Sequence, residues 1–407
     1  STIKSIGEKA FSGCAGLKRI NLVDGITEIG ANAFEKTALT KVTIPSTLKS
    51  LSNGLFSGCA SLETIEFAAN GELETVGDNV FADCSALKEV LFPEGVTSLG
   101  ANVFSGDTSS LKHVYIPGSV IVDGTNFKYN FITNNAYVEK ITVGEGITDI
   151  AGYNSGNKQY GFVEGCTNLK EVVLPSTLTC LSINAFKGCV NLTTVYYNGT
   201  EREEGVVKLP EGVTTIESGA FSGCESVKSI VLPAGITEIG TSAFAGCANL
   251  ESIYTAGEQA KVGTVKWPNV IKDIPASVVE GCAKITEFAL PENVENLGER
   301  FINGTGITEF TVPGTIESLN IGVFDGNMSL KKVTLEKGLG SLYIPGEYES
   351  PKAGTFSGCE NLETIVINAD LTVIPALTFR YCHNLKTVNI PDTVTEIGSN
   401  AFDECTS

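Results

Sequence analysis

This chain of 407 residues contains twelve cysteines. They are its first candidates for chemistry, because a thiol can act as a nucleophile, bind a metal or form a disulfide. Eleven of them stand three residues after a phenylalanine or another apolar residue in a recurring pattern. These column cysteines are Cys14, Cys59, Cys84, Cys166, Cys189, Cys224, Cys247, Cys282, Cys359, Cys382 and Cys405. In five further repeats the same position holds Thr37, Asp107, Asn135, Thr305 and Asn327.

Every residue in this position is small and can form a hydrogen bond. We therefore predict buried, reduced thiols whose side chains satisfy a backbone group of the adjoining repeat, since an unpaired buried polar group costs about 1 to 3 kcal/mol. Disulfides are the alternative, because stacked strands bring Cα atoms within range, but eleven is an odd number and Cys14 has Thr37 as its neighbour. No C-x-x-C or H-x-x-x-H pair supports a metal site. Cys180 lies in a different, polar position and is predicted to be an exposed thiol.

Histidine and carboxylate chemistry finds no support in the sequence. His113 and His383 are the only two histidines, and neither lies near a nucleophile motif or a positioned pair of carboxylates. Acidic clusters such as 201–204 lack the D-x-D-x-D-G spacing of a calcium loop. The sequence predicts no catalytic residue, no metal ligand and no cofactor, and therefore not an enzyme.

The elements that must position these residues repeat sixteen times. The apolar residue that precedes each column position, which we name the Phe position, is Phe11, Phe34, Phe56, Phe81, Phe104, Ile132, Val163, Phe186, Phe221, Phe244, Val279, Ile302, Phe324, Phe356, Phe379 or Phe402. Most steps are 22 or 23 residues, and such a period is typical of coils that are stable only when stacked. We predict one solenoid domain over 1–407 with about 16 repeats, and both ends of the sequence fall inside a repeat, which suggests a fragment of a longer protein.

Each repeat contains the same short elements. Leu17–Leu22 alternates apolar and polar residues, which predicts a short strand in a parallel sheet, and a proline often ends it. A second apolar pair follows, such as Ile26 and Ile29. Gly30 is predicted to supply a tight bend, and the Ala-Phe-x-x-Cys segment a short helical turn.

The consensus L-x-x-I-x-I-P-x-x-V-T-x-I-G-x-x-A-F-x-x-C, well matched by 213–224, resembles the BspA-like class of bacterial leucine-rich repeats. The resemblance implies a right-handed coil with a parallel β-sheet on the concave face and mostly irregular structure elsewhere. It also implies a bacterial protein that is secreted or displayed on the cell surface, where it mediates adhesion to host or neighbouring-cell proteins. No signal peptide is visible in the sequence.

Composition limits the partners. The net charge of −19 makes nucleic acid and anionic lipid improbable partners. No run of 18 or more apolar residues exists, so no membrane span is predicted.

Irregular repeats and their insertions are where a solenoid more often differs from its relatives and carries its specific function. Insertions at 198–210 and 256–268 are predicted to be hairpins, with Trp267 mostly buried. Further insertions at 123–131, 151–161 and 343–353 follow the second apolar pair. Three phenylalanines stand beside a non-phenylalanine Phe position and are predicted to be repacked core residues: Phe131, Phe162 and Phe301.

The outward strand positions in the middle of the array are less polar than full exposure requires. We predict that they bind a protein ligand, because tyrosine gives a large, rigid contact area; the residues are Tyr115, Val173, Tyr196, Val231 and Tyr254. The alternative is that tyrosine and valine are simply good strand formers. For function, a passive spacer that displays another domain and a glycan-binding module remain the alternatives to protein adhesion.

Overall fold

The computed structural model describes residues 2–120, 131–150, 153–155, 158–342 and 354–407, with only the backbone for 153–155 and 158–160. Of the three smaller predicted insertions, 123–130, 151–152, 156–157 and 343–353 lie outside the described residues. The chain divides into two compact units, Ser1–Val213 and Thr214–Ser407. Each unit is a parallel β-solenoid, and no helix occurs in the described ranges.

The longer strands form what we call the front of each unit. In the first unit they are β3 (Lys41–Ile44), β5 (Thr64–Phe67), β7 (Glu89–Leu91), β9 (His113–Ile116), β10 (Lys140–Val143), β14 (Glu171–Leu174), β16 (Thr194–Tyr197) and β17 (Val206–Lys208). In the second they are β19 (Ser229–Leu232), β21 (Ser252–Thr255), β22 (Thr264–Lys266), β24 (Glu287–Ala289), β26 (Glu309–Val312), β28 (Lys332–Leu335), β30 (Thr364–Ile367) and β32 (Thr387–Asn389).

Strands of two residues form a second set. In the first unit they are β1 (Ser5–Ile6), β2 (Glu28–Ile29), β4 (Ser50–Leu51), β6 (Thr75–Val76), β8 (Ser98–Leu99), β11 (Asp149–Ile150) and β15 (Cys180–Leu181). In the second they are β18 (Thr215–Ile216), β20 (Glu238–Ile239), β23 (Asp273–Ile274), β25 (Asn296–Leu297), β27 (Ser318–Leu319), β29 (Ser341–Leu342), β31 (Val373–Ile374) and β33 (Glu396–Ile397). β12 (Tyr153–Ser155) pairs in antiparallel orientation with β13 (Lys158–Tyr160).

The predicted parallel sheet is confirmed by the strand pairing. β10 pairs in parallel with β9 on one side and β14 on the other, and buried and partly exposed residues alternate along β9 and β10. Because successive side chains of a strand point to opposite faces of the sheet, the alternation shows that one face of each strand belongs to the core. Leu17–Leu22, by contrast, is not a strand. The segment that follows it in the stack donates one backbone hydrogen bond, from the N–H of Thr40 to the oxygen of Lys18 at 3.2 Å, and one bond does not make a β-ladder.

Phenylalanine rings in the Phe position form the core of the stacked turns. Phe34 and Phe56 are 5.8 Å apart between ring centroids with an interplanar angle of 10°, and Phe356 and Phe379 are 5.3 Å apart at 10°. The three repacked phenylalanines are buried, as predicted. Trp267 is also buried, as predicted, and its ring lies 5.5 Å from that of Phe288.

The predicted helical turn around the Phe position is wrong. Asn32 and Lys36, two residues before and after Phe34, have φ angles of 54° and 53°, and a right-handed helix cannot contain such angles. The same pair of positive angles recurs at Asn79 and Asp83 and at Asn400 and Glu404. The alternating conformation points backbone N–H groups at the next turn, so that Phe34 donates to the oxygen of Leu55 at 3.1 Å.

The glycine after the second apolar pair is required by close packing of turns, not by the bend that we predicted. Gly30 is not among the residues with positive φ. A Cβ atom on Gly30 would lie 2.4 Å from the backbone nitrogen of Glu8 in the preceding turn, and one on Gly240 would lie 2.4 Å from that of Ser218. A side chain at this position would therefore separate two turns.

The two large insertions are not hairpins, because each returns as an additional parallel front strand. β17 pairs in parallel with β16 through Val195 and Val207, and β22 pairs in parallel with β21 through Ile253 and Val265. Val207 and Val265 are fully buried, so each added strand contributes an apolar residue to the core. Glycines with positive φ at both ends of each loop allow the chain to reverse twice: Gly199, Gly205, Gly257 and Gly263.

Candidate functional site

The strand register of the first unit brings three of the predicted binding residues into one row. Tyr115 is paired with Thr142, Thr142 with Val173, and Val173 with Tyr196. Leu91 extends the row on the other side of Tyr115. We call these five residues the front row. Tyr115, Thr142 and Tyr196 are partly exposed, Leu91 is 46% exposed, and Val173 is only 6% exposed.

Glu171 fixes the orientation of Tyr196. The Tyr196 hydroxyl donates to Oε1 of Glu171 at 3.0 Å, and the same carboxylate forms ion pairs with Lys140 at 2.7 Å and Arg202 at 2.9 Å. Burial raises the pKa of Glu171, but the bonds from Lys140, Arg202 and Tyr196 outweigh it and leave the pKa below its ordinary value. Burial and the bond to Glu171 raise the pKa of Tyr196. The Tyr196 ring is therefore uncharged at neutral pH and held by the Glu171 carboxylate.

Tyr115 is oriented in the same way at the other end. Its hydroxyl donates to Oε1 of Glu94, and burial followed by this bond raises its pKa. Beside the row, Nε2 of His113 lies 3.0 Å from the hydroxyl of Thr142. Burial, followed by the charge of Lys140, lowers the pKa of His113, so this histidine is uncharged at neutral pH.

The first large insertion lies beside the front row, although not as a hairpin. Arg202 from this loop reaches Glu171, and Nδ2 of Asn198 donates to Oε1 of Glu145 at 2.7 Å. Glu145 also accepts the backbone N–H of Ser176 at 2.9 Å. The loop is thus held against the ends of β10 and β14.

In the second unit, the other two predicted residues form a pair of their own. Val231 on β19 is the register partner of Tyr254 on β21. Val231 is only 7% exposed, whereas Tyr254 is partly exposed. The loop of the second insertion is tied to β22 by an ion pair between Lys266 and Glu258 at 2.5 Å.

Sequence reasoning missed three residues of the first-unit site. Leu91 and Thr142 occupy the same outward position as the predicted residues and could have been found by register. Glu171 could not, because its three partners come from a neighbouring strand on either side and from the insertion loop.

The column cysteines have the hydrogen-bonding role that their pattern predicted. Sγ of Cys84 donates to the oxygen of Phe56 in the preceding turn at 3.2 Å, and Cys247 does so to Phe221 at 3.2 Å. Asn135 and Asn327 make the equivalent bond through Nδ2. Burial raises the pKa of Cys166, Cys282 and Cys359 to about 12.

Some members of the column depart from the prediction. The hydroxyls of Thr37 and Thr305 bond to carbonyls of their own turn, at 3.0 and 2.7 Å, and not to the preceding turn. The Thr37 hydroxyl also lies 3.3 Å from Sγ of Cys59 in the next turn. Asp107 accepts the N–H of Ser109 instead. Of the column cysteines predicted to be buried, Cys14 is exposed and Cys405 is partly exposed. Cys180, predicted to be exposed, is only partly exposed.

The described part of the chain contains no group of three or more His, Cys, Asp or Glu side chains that could hold a metal ion. Nor do the described residues include a helix long and apolar enough to cross a membrane. The front row of the first unit thus combines oriented tyrosine rings with neighbouring charged groups.

The family model described as BspA type leucine rich repeat region (6 copies) matches residues 4–134, 110–205, 205–331 and 337–407. The chain belongs to this family. The fold is that of a leucine-rich repeat solenoid, which is typically a non-catalytic binding scaffold. A search of curated protein sequences returned no match.

One solved structure supports the fold. The chain is similar to a leucine-rich repeat protein from Bacteroides ovatus, with 23% identity, a TM-score of 0.64, and coverage of 97% of this chain and 87% of that one. It is also similar to a leucine rich cell surface protein from Faecalibacterium prausnitzii (23% identity, TM-score 0.37, coverage 90% and 83%). A third is the pneumococcal vaccine antigen PcpA (22% identity, TM-score 0.38, coverage 83% and 73%).

Proposed function

We propose that this chain binds a protein partner through the front row of the first unit, with Val231 and Tyr254 providing a second contact in the second unit. We further propose that it acts as an adhesive protein, secreted or displayed on a bacterial surface, as the family resemblance implies. Its partner would then be a protein on a host or neighbouring cell.

The observation that carries the proposal is the orientation of Tyr115 and Tyr196 on one sheet. Each ring is held by a carboxylate, so binding would cost little side-chain entropy. Large, rigid rings next to apolar residues are enriched at the centres of protein interfaces. A passive spacer has no need of rings that are fixed in this way.

The test uses the purified chain, fluorescently labelled, on an array of extracellular proteins and on an array of polysaccharides. We expect binding to protein spots, and we expect Tyr196→Ala to weaken it by about 1 to 2 kcal/mol. Tyr137→Ala is the matched control, because Tyr137 is partly exposed but lies outside the front strands. Its effect should be small.

Binding to polysaccharide spots alone would favour the glycan-binding alternative, in which the same rings stack on sugars. Absence of binding on both arrays would favour the spacer. If Tyr196→Ala and Tyr137→Ala weakened binding equally, the front row would not be part of the interface.

A further inference from the structure

The front sheet of the first unit is interrupted between β5 and β7. Among the described strands, β5 pairs with β3, and β7 pairs with β9, but β5 and β7 do not pair with each other. At the start of the two strands, the N–H of Lys88 still donates to the oxygen of Glu63 at 3.4 Å. Beyond that bond lies a groove of about 690 Å³, lined by both strands and by the loops that follow them.

Two phenylalanines stand at the interruption. Phe67 and Phe92 occupy neighbouring inward positions, and their ring centroids are 6.0 Å apart at an interplanar angle of 47°. A single phenylalanine is compatible with pairing, since Phe67 is paired with Ile44 on its other side.

The second unit has a similar interruption, although its two phenylalanines stand at the first inward position of their strands and not at the second. Phe288 and Phe310 stand on β24 and β26, which are not paired with each other among the described strands. Each is paired on its other side with a valine, Val265 or Val333. A groove of about 360 Å³ lies between β24 and β26. In both units, therefore, the sheet is interrupted where two phenylalanine-bearing strands adjoin, and it is continuous where such a strand adjoins one with an aliphatic residue.

The rim of the first-unit groove is acidic around an apolar centre. Of its four glutamates, Glu63 is balanced by Lys88 at 2.7 Å and Glu66 by Lys41 at 2.6 Å. The other two are Glu89 and Glu94. Nδ1 of His113 lies 3.9 Å from Glu89, but this histidine is uncharged at neutral pH, as described above, and Glu94 accepts the neutral hydroxyl of Tyr115. The rim keeps a net negative charge next to the exposed Leu91.

We propose that this groove binds an extended segment of the partner protein that carries lysine or arginine at alternate positions. Because β5 and β7 still share a hydrogen bond at their start, the extended chain would lie along the groove and not between the strands, and side chains of such a chain alternate in direction. One set would place basic groups at Glu89 and Glu94, and the other would contact Leu91. The inference rests on the proposed protein-binding function, because Leu91 is part of both the groove and the front row.

The probe is a fluorescein-labelled hexapeptide of alternating lysine and valine, with a glutamate and valine peptide as its counterpart. Fluorescence anisotropy at low salt should show binding of the basic peptide only. We expect the double variant Glu89→Gln, Glu94→Gln to weaken this binding about fivefold. The double variant Glu28→Gln, Glu238→Gln removes the same charge from exposed positions on β2 and β20 and should leave the binding unchanged. Equal weakening by the two variants would mean that the peptide responds only to the overall charge of −19 and would overturn the proposal.

Two further variants keep the charge and change the groove. Phe67→Ile with Phe92→Ile should restore strand pairing, slow amide hydrogen exchange in 64–67 and 89–91, and abolish peptide binding. Leu91→Ser alters an exposed residue that the fold does not need, and it should weaken binding of the basic peptide about threefold.

Unchanged peptide binding in Leu91→Ser, or in the double isoleucine variant with slowed exchange, would exclude the groove. If the groove variants have no effect while Tyr196→Ala still weakens binding on the protein array, the inference fails and the proposed function stands. Loss of array binding in all variants alike, Tyr137→Ala included, would contradict both.

Discussion

At the scale of single residues, the cysteine position was predictable because all of its residues except Asp107 share one chemical property. Cysteine, threonine and asparagine can all donate a hydrogen bond, and the buried carbonyl of the preceding turn requires a donor. Which donors bond to that carbonyl was not predictable from residue type: Asn135 and Cys84 bond to the preceding turn, whereas Thr37 bonds to a carbonyl of its own turn.

Thiol reactivity should follow burial. Nine cysteines are buried, Cys180 and Cys405 are partly exposed, and Cys14 is exposed. Because the thiolate is the reactive form and burial raises the thiol pKa, titration with a thiol reagent at pH 8 should show one fast group, two slower ones, and nine more only in denaturant. Cys14→Ser should remove the fast phase. Several disulfides in the native protein, found by mass spectrometry, would contradict the hydrogen-bonding role.

Trp267 is buried with an indole N–H that has no hydrogen-bond partner among the described residues. Trp267→Phe removes this unpaired donor but leaves a smaller ring, so we expect the free energy of unfolding to stay within about 1 kcal/mol of the wild-type value. Trp267→Ala should cost about 3 to 5 kcal/mol as a cavity. Chemical denaturation measures both. A loss in Trp267→Phe as large as in Trp267→Ala would show that the N–H contributes to stability.

Glu171 should make stability depend on acid. The pKa of Glu171 in the folded protein lies below the ordinary value of 4.5. The ionised carboxylate therefore stabilises the folded state at pH values above the pKa that Glu171 has in the unfolded chain. This contribution is lost as the pH falls through the pKa of the folded state. Glu171→Gln should therefore lower stability by about 1 kcal/mol at pH 7. The difference in Tm between wild type and variant should close below pH 4.5. A difference that stays constant from pH 7 to pH 3 would mean that the charge of Glu171 has no role.

At the scale of elements, the sequence predicted the strands well and the turns poorly. Strand alternation reports directly which residues enter the core. The conformation around the Phe position was not predictable by the same argument, because positive φ at Asn32 and Lys36 exists to direct N–H groups at the next turn. Likewise, the insertions contain enough turn residues for a hairpin, and only the burial of Val207 and Val265 shows that they return as core strands.

Gly30 and Gly7 allow a controlled test of turn packing. Both stand at the same position of a repeat, but a Cβ on Gly30 would meet the backbone of Glu8 at 2.4 Å, and one on Gly7 would meet nothing within 4 Å. Gly30→Ala should destabilise the protein by about 1 to 3 kcal/mol. Gly7→Ala should be neutral or slightly stabilising, since alanine restricts the unfolded chain. Thermal denaturation of the two variants compares them, and similar losses in both would indicate a backbone effect in place of a clash.

At the scale of the whole chain, the family and the solenoid fold followed from the repeat alone, because stacked turns need the same residues at the same offsets. The position of a functional surface did not. Each repeat predicts its own outward residue, but the interruption between β5 and β7 lies where two repeats that each carry an inward phenylalanine, Phe67 and Phe92, adjoin. Features that depend on a pair of repeats are therefore invisible to an analysis that aligns repeats one by one.

The net charge of −19 sets the salt dependence of any protein complex. A partner that complements the chain should be basic, and opposite charges accelerate association while added salt screens them beyond about 10 Å at 0.1 M. For each protein identified on the array, the association rate constant measured by surface plasmon resonance should fall as sodium chloride rises, with a smaller change in the dissociation rate constant. Glu89→Gln with Glu94→Gln should reduce this salt dependence, whereas Tyr196→Ala should raise the dissociation rate constant and leave the salt dependence unchanged. An association rate constant that is independent of salt would show that the acidic surface has no part in recognition.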